Sequence, residues 1–336
     1  MVIKLKNILY EGGKLFAPHS DRVTTSEMYA ITKKMELTLN DLFRRFEAVK
    51  SLKSKETHGD VDLLVLPKSG NWKDKVEERL KSQIVDKETN GNVHSYLLQF
   101  DDINKKVHVD FIVAGDENKF QSMVEYYTLN DFSGVIGIFA RHLNFKYGDE
   151  GFQKRYKDKR GQWHDVYLTH DLMQGLEILG YKNPKARIEK IEDLDDVIEF
   201  VLSSPLMDVE YFTPTNMNVS QRKNVGARDN IKYIVDQIRK IAPKATIFDE
   251  DYFLKKLFPS LYEKMKKEID RIEKETYITS KYNGDFIINK LGLKSGRHIG
   301  ELLKYLSDVY GKELNDIPED DVLKSLKKYI NKNDNI

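Results

Sequence analysis

Three carboxylates set in two apolar runs carry the densest chemistry in this sequence. In KETHGDVDLLV (55–65), Asp60 and Asp62 are two residues apart at the start of a strand-like run. Strand side chains alternate faces, so both point the same way, with carboxylates roughly 6–7 Å apart. Like charges that close repel and raise a pKa unless a cation lies between them. A divalent ion such as Mg²⁺, which keeps open positions for water and phosphate, relieves the repulsion. A third carboxylate, Asp110, lies in KKVHVDFIVA (105–114), where Val107, Val109, Phe111 and Val113 share one face and His108, Asp110 and Ile112 the other. If the two strands pair, the three carboxylates converge into a set able to hold two Mg²⁺ ions about 3.5–4 Å apart. That is the equipment of phosphoryl transfer, which needs positioning and charge neutralisation more than a side-chain nucleophile. A plainer reading stays open, because D-x-D recurs by chance: Asp60 caps a turn, Asp62 meets solvent and Asp110 is a surface strand residue. His58 and His108 flank the acids, either to ligate or orient phosphate or only to fill space.

The elements that must position these residues follow from periodicity. TTSEMYAITKKMELTLNDLFRRFEAVK (24–50) reads as one long helix, with Met28, Ile31, Met35, Leu39, Leu42 and Phe46 on a stripe and Thr24 with Glu27 as a capping box. A strand follows from about 61 to 66, stopped by Pro67. SGNWKDKVEERLKSQI (69–84) returns to helix, with Trp72, Val76, Leu80 and Ile84 aligned. NVHSYLLQF (92–100) and KKVHVDFIVA flank the polar DDIN as two antiparallel strands. Residues 126–147 read as loop then helix, and a hairpin turns around Lys159, Arg160 and Gly161. The remainder is largely helical: Ile231, Ile234, Ile238 and Ile241 form one stripe, and Phe253, Leu257, Leu261, Met265, Ile269 and Ile272 another. No internal repeat is present, and the tail NKNDNI is expected to fray.

Bulk composition narrows the class. The 336 residues suffice for two domains. Lys plus Arg (55) nearly cancels Asp plus Glu (54), so contact with nucleic acid must come from local patches. With no cysteine, disulfides and thiolate metal sites are excluded and a reducing, cytoplasmic location is expected. The N-terminus reads as mature sequence rather than a signal peptide, and no run approaches the ~20 apolar residues of a membrane span. EGGKLFAPHSDRV (11–23) reads as a turn, or as glycines lining the entrance to the site.

The wider stretch SLKSKETHGDVDLLV (51–65) resembles the active-site entry of the DNA polymerase beta nucleotidyltransferase superfamily, family X DNA polymerases in particular. The resemblance spans about residues 46–166, about a third of the chain. It implies that Ser51 and Lys53 contact a triphosphate, that Gly59, Asp60 and Asp62 form the metal strand, and that Asp110 is the third metal-binding carboxylate. FSGVIGIFARHLNFKYGDEGF (132–152) is similar to the family X segment lying against the nucleotide sugar and base, which carries nucleotide contacts onto Phe132, Ser133, Gly134 and Arg141. Lys50 stands where the family has its turn glycine, and one residue is missing between Ser51 and Lys55. Further on, NGDFIINKLGLKSGRHIGELLKYL (283–306) is similar to late helices of CCA-adding tRNA nucleotidyltransferases and poly(A) polymerases. There Gly296 and Gly300 frame a helix start at which Arg297 meets an anionic backbone. The same letters fit a helix-hairpin-helix element or an ordinary helix start. QKRYKDKRGQWH (153–164) interleaves Lys154, Arg155, Lys157, Lys159 and Arg160 with Tyr156 and Trp163, which suits a nucleic-acid strand or a solvated hairpin tip.

The expected architecture is α+β: a polymerase-beta-like palm, a mixed sheet with helices on one face, followed by a mostly helical C-terminal region. The expected divisions are a palm core (1–125), a nucleotide- and primer-contacting subdomain (126–185) and a helical nucleic-acid-binding region (186–336). The resemblance implies an enzyme, a transferase using two Mg²⁺ ions (Mn²⁺ as substitute), that adds a nucleoside monophosphate from a nucleotide triphosphate to a nucleic-acid 3′-hydroxyl. The absence of a DNA-gap-binding N-terminal module tips the expectation toward an RNA end, as in tRNA processing. A DNA repair polymerase, or an enzyme modifying a protein or small molecule, are the alternatives.

Overall fold

The computed structural model describes residues 15–128, 131–159, 161–242, 244–310, 313–314 and 316–332. The N-terminal glycines Gly12 and Gly13, Arg160 and the last four residues of the tail lie outside them. The chain divides into two compact units, Met1–Lys154 with Tyr167–Pro259, and Arg155–Val166 with Ser260–Ile336. The sequence-based divisions after 125 and after 185 both fall inside the larger unit.

The larger unit is built on a five-stranded mixed sheet. Strand β1 (Val23–Thr24) leads into α1 (Thr25–Leu39), whose N-cap Thr24 makes the expected capping box with Glu27. The helix stops at Leu39, short of the sequence expectation. A 3₁₀ turn over Asn40–Leu42 follows, and then β2 (Phe43–Ala48). A register shift between Phe43 and Arg45 lets both Phe43 and Phe46 reach one core. That bulge spaces the aromatics like a continued helical stripe, which is why periodicity extended the helix too far. The short β3 (Thr57–His58) pairs with β1, and β4 (Asp60–Pro67) enters the main sheet.

Helix α2 (Trp72–Arg79) ends at Leu80, so Ile84 opens strand β5 (Ile84–Asn90) rather than closing the helix. Then β6 (Val93–Phe100) and β7 (Lys105–Val113) form the expected antiparallel pair. The order is β2-β4-β7-β6-β5, with β4 and β7 parallel and the other neighbours antiparallel. Val61, Leu63, Val65, Val107, Val109 and Phe111 pack beneath α1 and α2. The opposite face is also covered in part: Phe120 and Met123 of α3 (Glu117–Tyr127) close over Leu64 and Ile112. Helices therefore lie on both faces, not one. This explains the local sequence: β4 alternates polar and apolar through Leu63, then runs apolar through Leu66 where both faces are buried.

The larger unit continues with α4 (Phe132–His142), β8 (Phe145–Gly148), β9 (Gly151–Lys157) and β10 (Trp163–Thr169); the boundary between units falls within the last two strands. Helices α5 (Leu172–Ile178), α6 (Pro184–Ile188), α7 (Leu194–Leu202), α8 (Val219–Ala227), α9 (Asp229–Ile241) and α10 (Tyr252–Leu257) complete it. Ile231, Ile234 and Ile238 are buried as expected, but Ile241, the last residue of its helix, is 61% exposed. The stripe expected from Phe253 to Ile272 is broken at Pro259, where α11 (Pro259–Lys281) begins. The smaller unit packs α12 (Gly284–Leu291), α13 (Arg297–Tyr310) and α14 (Glu319–Lys332) around Tyr282, Ile287, Leu302, Leu306, Val322 and Leu326. No helix among the described residues is long and apolar enough to cross a membrane.

Candidate functional site

The parallel pairing of β4 and β7 sets Asp60 beside His108 and Asp62 beside Asp110. Register partners share a face of the sheet, so all four side chains stand on one side, beyond the end that α3 covers. Gly59 is the buried bend that admits the chain from β3 to β4. One ligand atom each from Asp60, His108 and Asp110 lies within 4.8 Å of the others. His108 Nε2 is 2.8 Å from Asp110 Oδ1, its ring is 4% exposed, and Phe16 packs edge-on against it with ring centroids 4.9 Å apart.

The electrostatics are those of a site short of positive charge. Burial pushes the Asp62 carboxyl well above the usual carboxylate range; the charges of Asp60 and then Asp110 push it further, against the partial relief of Lys55 and Arg228. Lys55 is 5% exposed. Its burial lowers the ammonium pKa, opposed by Asp60, Asp131 and Asp62. Arg228 donates from Nη1 to Asp131 Oδ1 at 2.8 Å, and Asn230 Nδ2 donates to Asp131 Oδ2 at 3.2 Å. These contacts fix the start of α4 beside the acidic face. Oxygen donors in surplus over compensating cations, on one rigid sheet face, fit a hard divalent ion. Asp60, Asp62 and Asp110 are the residues that would hold it.

Neither a protein-family profile nor a curated protein matches this chain. The functional reading therefore rests on the site itself.

The remaining sequence-predicted residues divide sharply. Ser51 is half-buried in the loop after β2. Lys53 is exposed and pairs with Glu192, Nζ to Oε1 2.7 Å. Phe132, in contrast, is 2% exposed and packs against Phe200, with ring centroids 5.4 Å apart. The buried Ser133 hydroxyl donates to the Tyr126 carbonyl. A Cβ on Gly134 would meet Ile231 Cδ1 at 2.8 Å. The segment expected to touch the nucleotide is thus the packed interior of a helix, and its small residues are accounted for by close approach to α9. Arg141 is exposed at the other end of that helix.

The basic stretch divides too. Lys154 is 5% exposed, bonded to Glu250 and Asp251 at 2.6 and 2.8 Å, with its ammonium over the Phe145 ring. Its charge is spent inside the larger unit, which corrects the expectation that it faces nucleic acid. In the smaller unit, Arg155 stacks on Trp163 at 4.5 Å and Lys157 lies 5.9 Å from the same ring. Lys159 pairs with Glu273 at 3.0 Å. Arg297 is exposed at the start of α13, 3.6 Å from Glu301. His58 is buried, its Nε2 3.1 Å from Thr25 Oγ1, and serves the junction of β3 with α1.

Sequence reasoning passed over Lys55 and Arg228. A lysine in a polar loop carries no periodic signal, and Arg228 is remote in the chain from the acids it influences. A groove of about 350 Å³ lined by Asp41, Lys68 and Arg79 lies at the far end of β4. Arg79 Nη2 donates to Asp41 Oδ2 there at 2.8 Å, and the groove holds none of Asp60, Asp62 and Asp110.

Proposed function

We propose that this protein is a divalent-metal-dependent nucleotidyltransferase with a polymerase-beta-like core. It adds a nucleoside monophosphate from a nucleotide triphosphate to the 3′-hydroxyl of a nucleic acid. The observation that carries this is the register Asp62↔Asp110, with Asp60 on the same face: three carboxylates on adjacent parallel strands, one of them pushed above the usual carboxylate range by burial and by the charges of the other two.

When bound, two Mg²⁺ ions supply neutralisation of the triphosphate and a lowered pKa at the attacking hydroxyl. Asp60, Asp62 and Asp110 would hold the ions, and Asp110 would help orient the attacking hydroxyl. Lys55 remains within the field of Asp60 and Asp62 and limits their repulsion. Arg228, half-exposed beside the same face, meets the anionic substrate from solvent. Lys53 leaves its exposed pairing with Glu192 at little cost to meet the triphosphate, since such surface pairs contribute ~0–1 kcal/mol.

RNA ends are the favoured acceptor, supported by the exposed Arg297 between Gly296 and the turns of α13. The test is pyrophosphate release with Mg²⁺, each nucleotide triphosphate, and truncated tRNA, other RNA ends or gapped DNA. Release that needs Mg²⁺ and disappears in Asp110→Asn is the expected result. Activity on gapped DNA alone overturns the RNA assignment, and release on no acceptor overturns the enzyme.

A further inference from the structure

The acidic face carries one side chain that a pure oxygen site does not need. His108 lies between the acids in register, a partner of Asp60 across the strands and two residues from Asp110 on its own. Its ring is buried, and Nδ1 has no hydrogen-bond partner among the described residues. A buried imidazole whose Nε2 faces the carboxylates of Asp60 and Asp110 offers an ion a nitrogen donor beside the oxygens.

We propose that His108 is a direct metal ligand through Nε2, making the centre a mixed nitrogen–oxygen site that takes Mn²⁺ or a later first-row divalent ion in preference to Mg²⁺. The proposal rests on the reading of the acidic face as a metal centre and adds the identity of the ion.

The geometry supports ligation. Two donors bound at about 2.1 Å in adjacent octahedral positions stand about 3 Å apart. His108 Nε2 and Asp110 Oδ1 are 2.8 Å apart, and an Asp60 oxygen completes a triangle with no edge longer than 4.8 Å. A small side-chain adjustment at Asp60 would bring the three atoms to the spacing of adjacent ligands. Ligation through Nε2 replaces its hydrogen bond with Asp110 Oδ1 and places the ring hydrogen on Nδ1. Carboxylates alone suit Mg²⁺, whereas an imidazole nitrogen raises affinity along the transition series.

The test uses the full-length protein with Mn²⁺ and Mg²⁺ as probes. Pulsed electron paramagnetic resonance of the Mn²⁺-loaded wild type is expected to show coupling to a ¹⁴N nucleus, lost in His108→Asn. Titration is expected to give a Mn²⁺ affinity about tenfold or more lower in that variant, with Mg²⁺ affinity changed by less than about threefold. Because the ¹⁴N coupling is read on the wild type, a variant that fails to fold does not spoil the test. Absence of the coupling in a loaded wild type overturns the proposal. So does an equal loss of Mn²⁺ and Mg²⁺ affinity, which would make His108 only a positioning residue for Asp110. A protein that binds neither ion at Asp60 and Asp110 fails the metal-centre reading itself, and that outcome is distinct.

Discussion

Asp62 and Asp110 are register partners on adjacent parallel strands, two carboxylates side by side on one sheet face with Asp60 two residues upstream of the first. No hydrophobic argument places three acids there. The arrangement stores electrostatic repulsion that a bound cation relieves, and this gives the molecule a stability signature of its own.

Asp62→Asn removes a charge that the fold disfavours. Its raised pKa means that the ionised form is less stable in the folded than in the unfolded chain, so stability falls as pH rises past the ordinary carboxylate pKa. At pH 7 with chelator present, the variant is expected to be more stable than wild type by at least about 1 kcal/mol, since one pKa unit is ~1.4 kcal/mol. The same variant should lose pyrophosphate release by about a thousandfold. Denaturant melts with and without Mg²⁺ check the first, and steady-state assays the second. An unchanged or lowered stability in chelator contradicts the strain.

His58 gives an opposite pH dependence. Burial, then Lys55 and Arg22, depress its pKa from 6.5 to about 4. A depressed pKa means that the unfolded chain binds the proton first. Stability is therefore complete above pH 6.5 and is lost as pH falls toward 4, by about 2 kcal/mol at pH 5. Denaturant midpoints at pH 7.5 and 5 should separate further in the wild type than in His58→Gln. Equal separations in both proteins would remove His58 as the cause.

Gly134 tests whether its segment packs or binds. Alanine there brings a methyl to 2.8 Å from Ile231 Cδ1. Gly134→Ala is expected to cost ~1 kcal/mol or more. That cost should shrink in an Ile231→Val background, which deletes the opposing atom. A loss of nucleotide affinity with no change in stability would instead place Gly134 at the substrate.

Lys154 and Arg155 are neighbours with opposite expected phenotypes. Lys154→Met leaves Glu250 and Asp251 facing each other and should cost about 2–4 kcal/mol, without altering the salt dependence of nucleic-acid binding. Arg155→Ala is expected to leave stability within ~1 kcal/mol, because its partners Asp165 and Trp163 are partly exposed. It should also reduce the slope of log affinity against log salt by about one. Fluorescence anisotropy with labelled RNA across a salt series decides, and a reduced slope in Lys154→Met would reverse the assignment.

The sequence alone determined the acids and their faces. Alternation fixed Asp60 with Asp62, and Asp110 with His108, because a strand has only two sides and apolar residues claimed one of them. It also determined the capping box of Thr24 with Glu27 and the antiparallel pair β6–β7, both decided by neighbouring residues. What depended on distant residues was not legible. The bulge after Phe43 disguised an edge strand as helix, and Leu80–Ile84 kept helical spacing across a helix end. Only the tertiary structure chose β4 and β7 as parallel neighbours, in a register that brings Asp62 against Asp110. It alone buried Lys55 and Lys154, turned Phe132 and Ser133 inward, and brought Arg228 to the acids. The physical reason is range: side-chain alternation is a property of consecutive residues, whereas pairing partner, burial and charge neighbourhood are set by segments far apart in the chain.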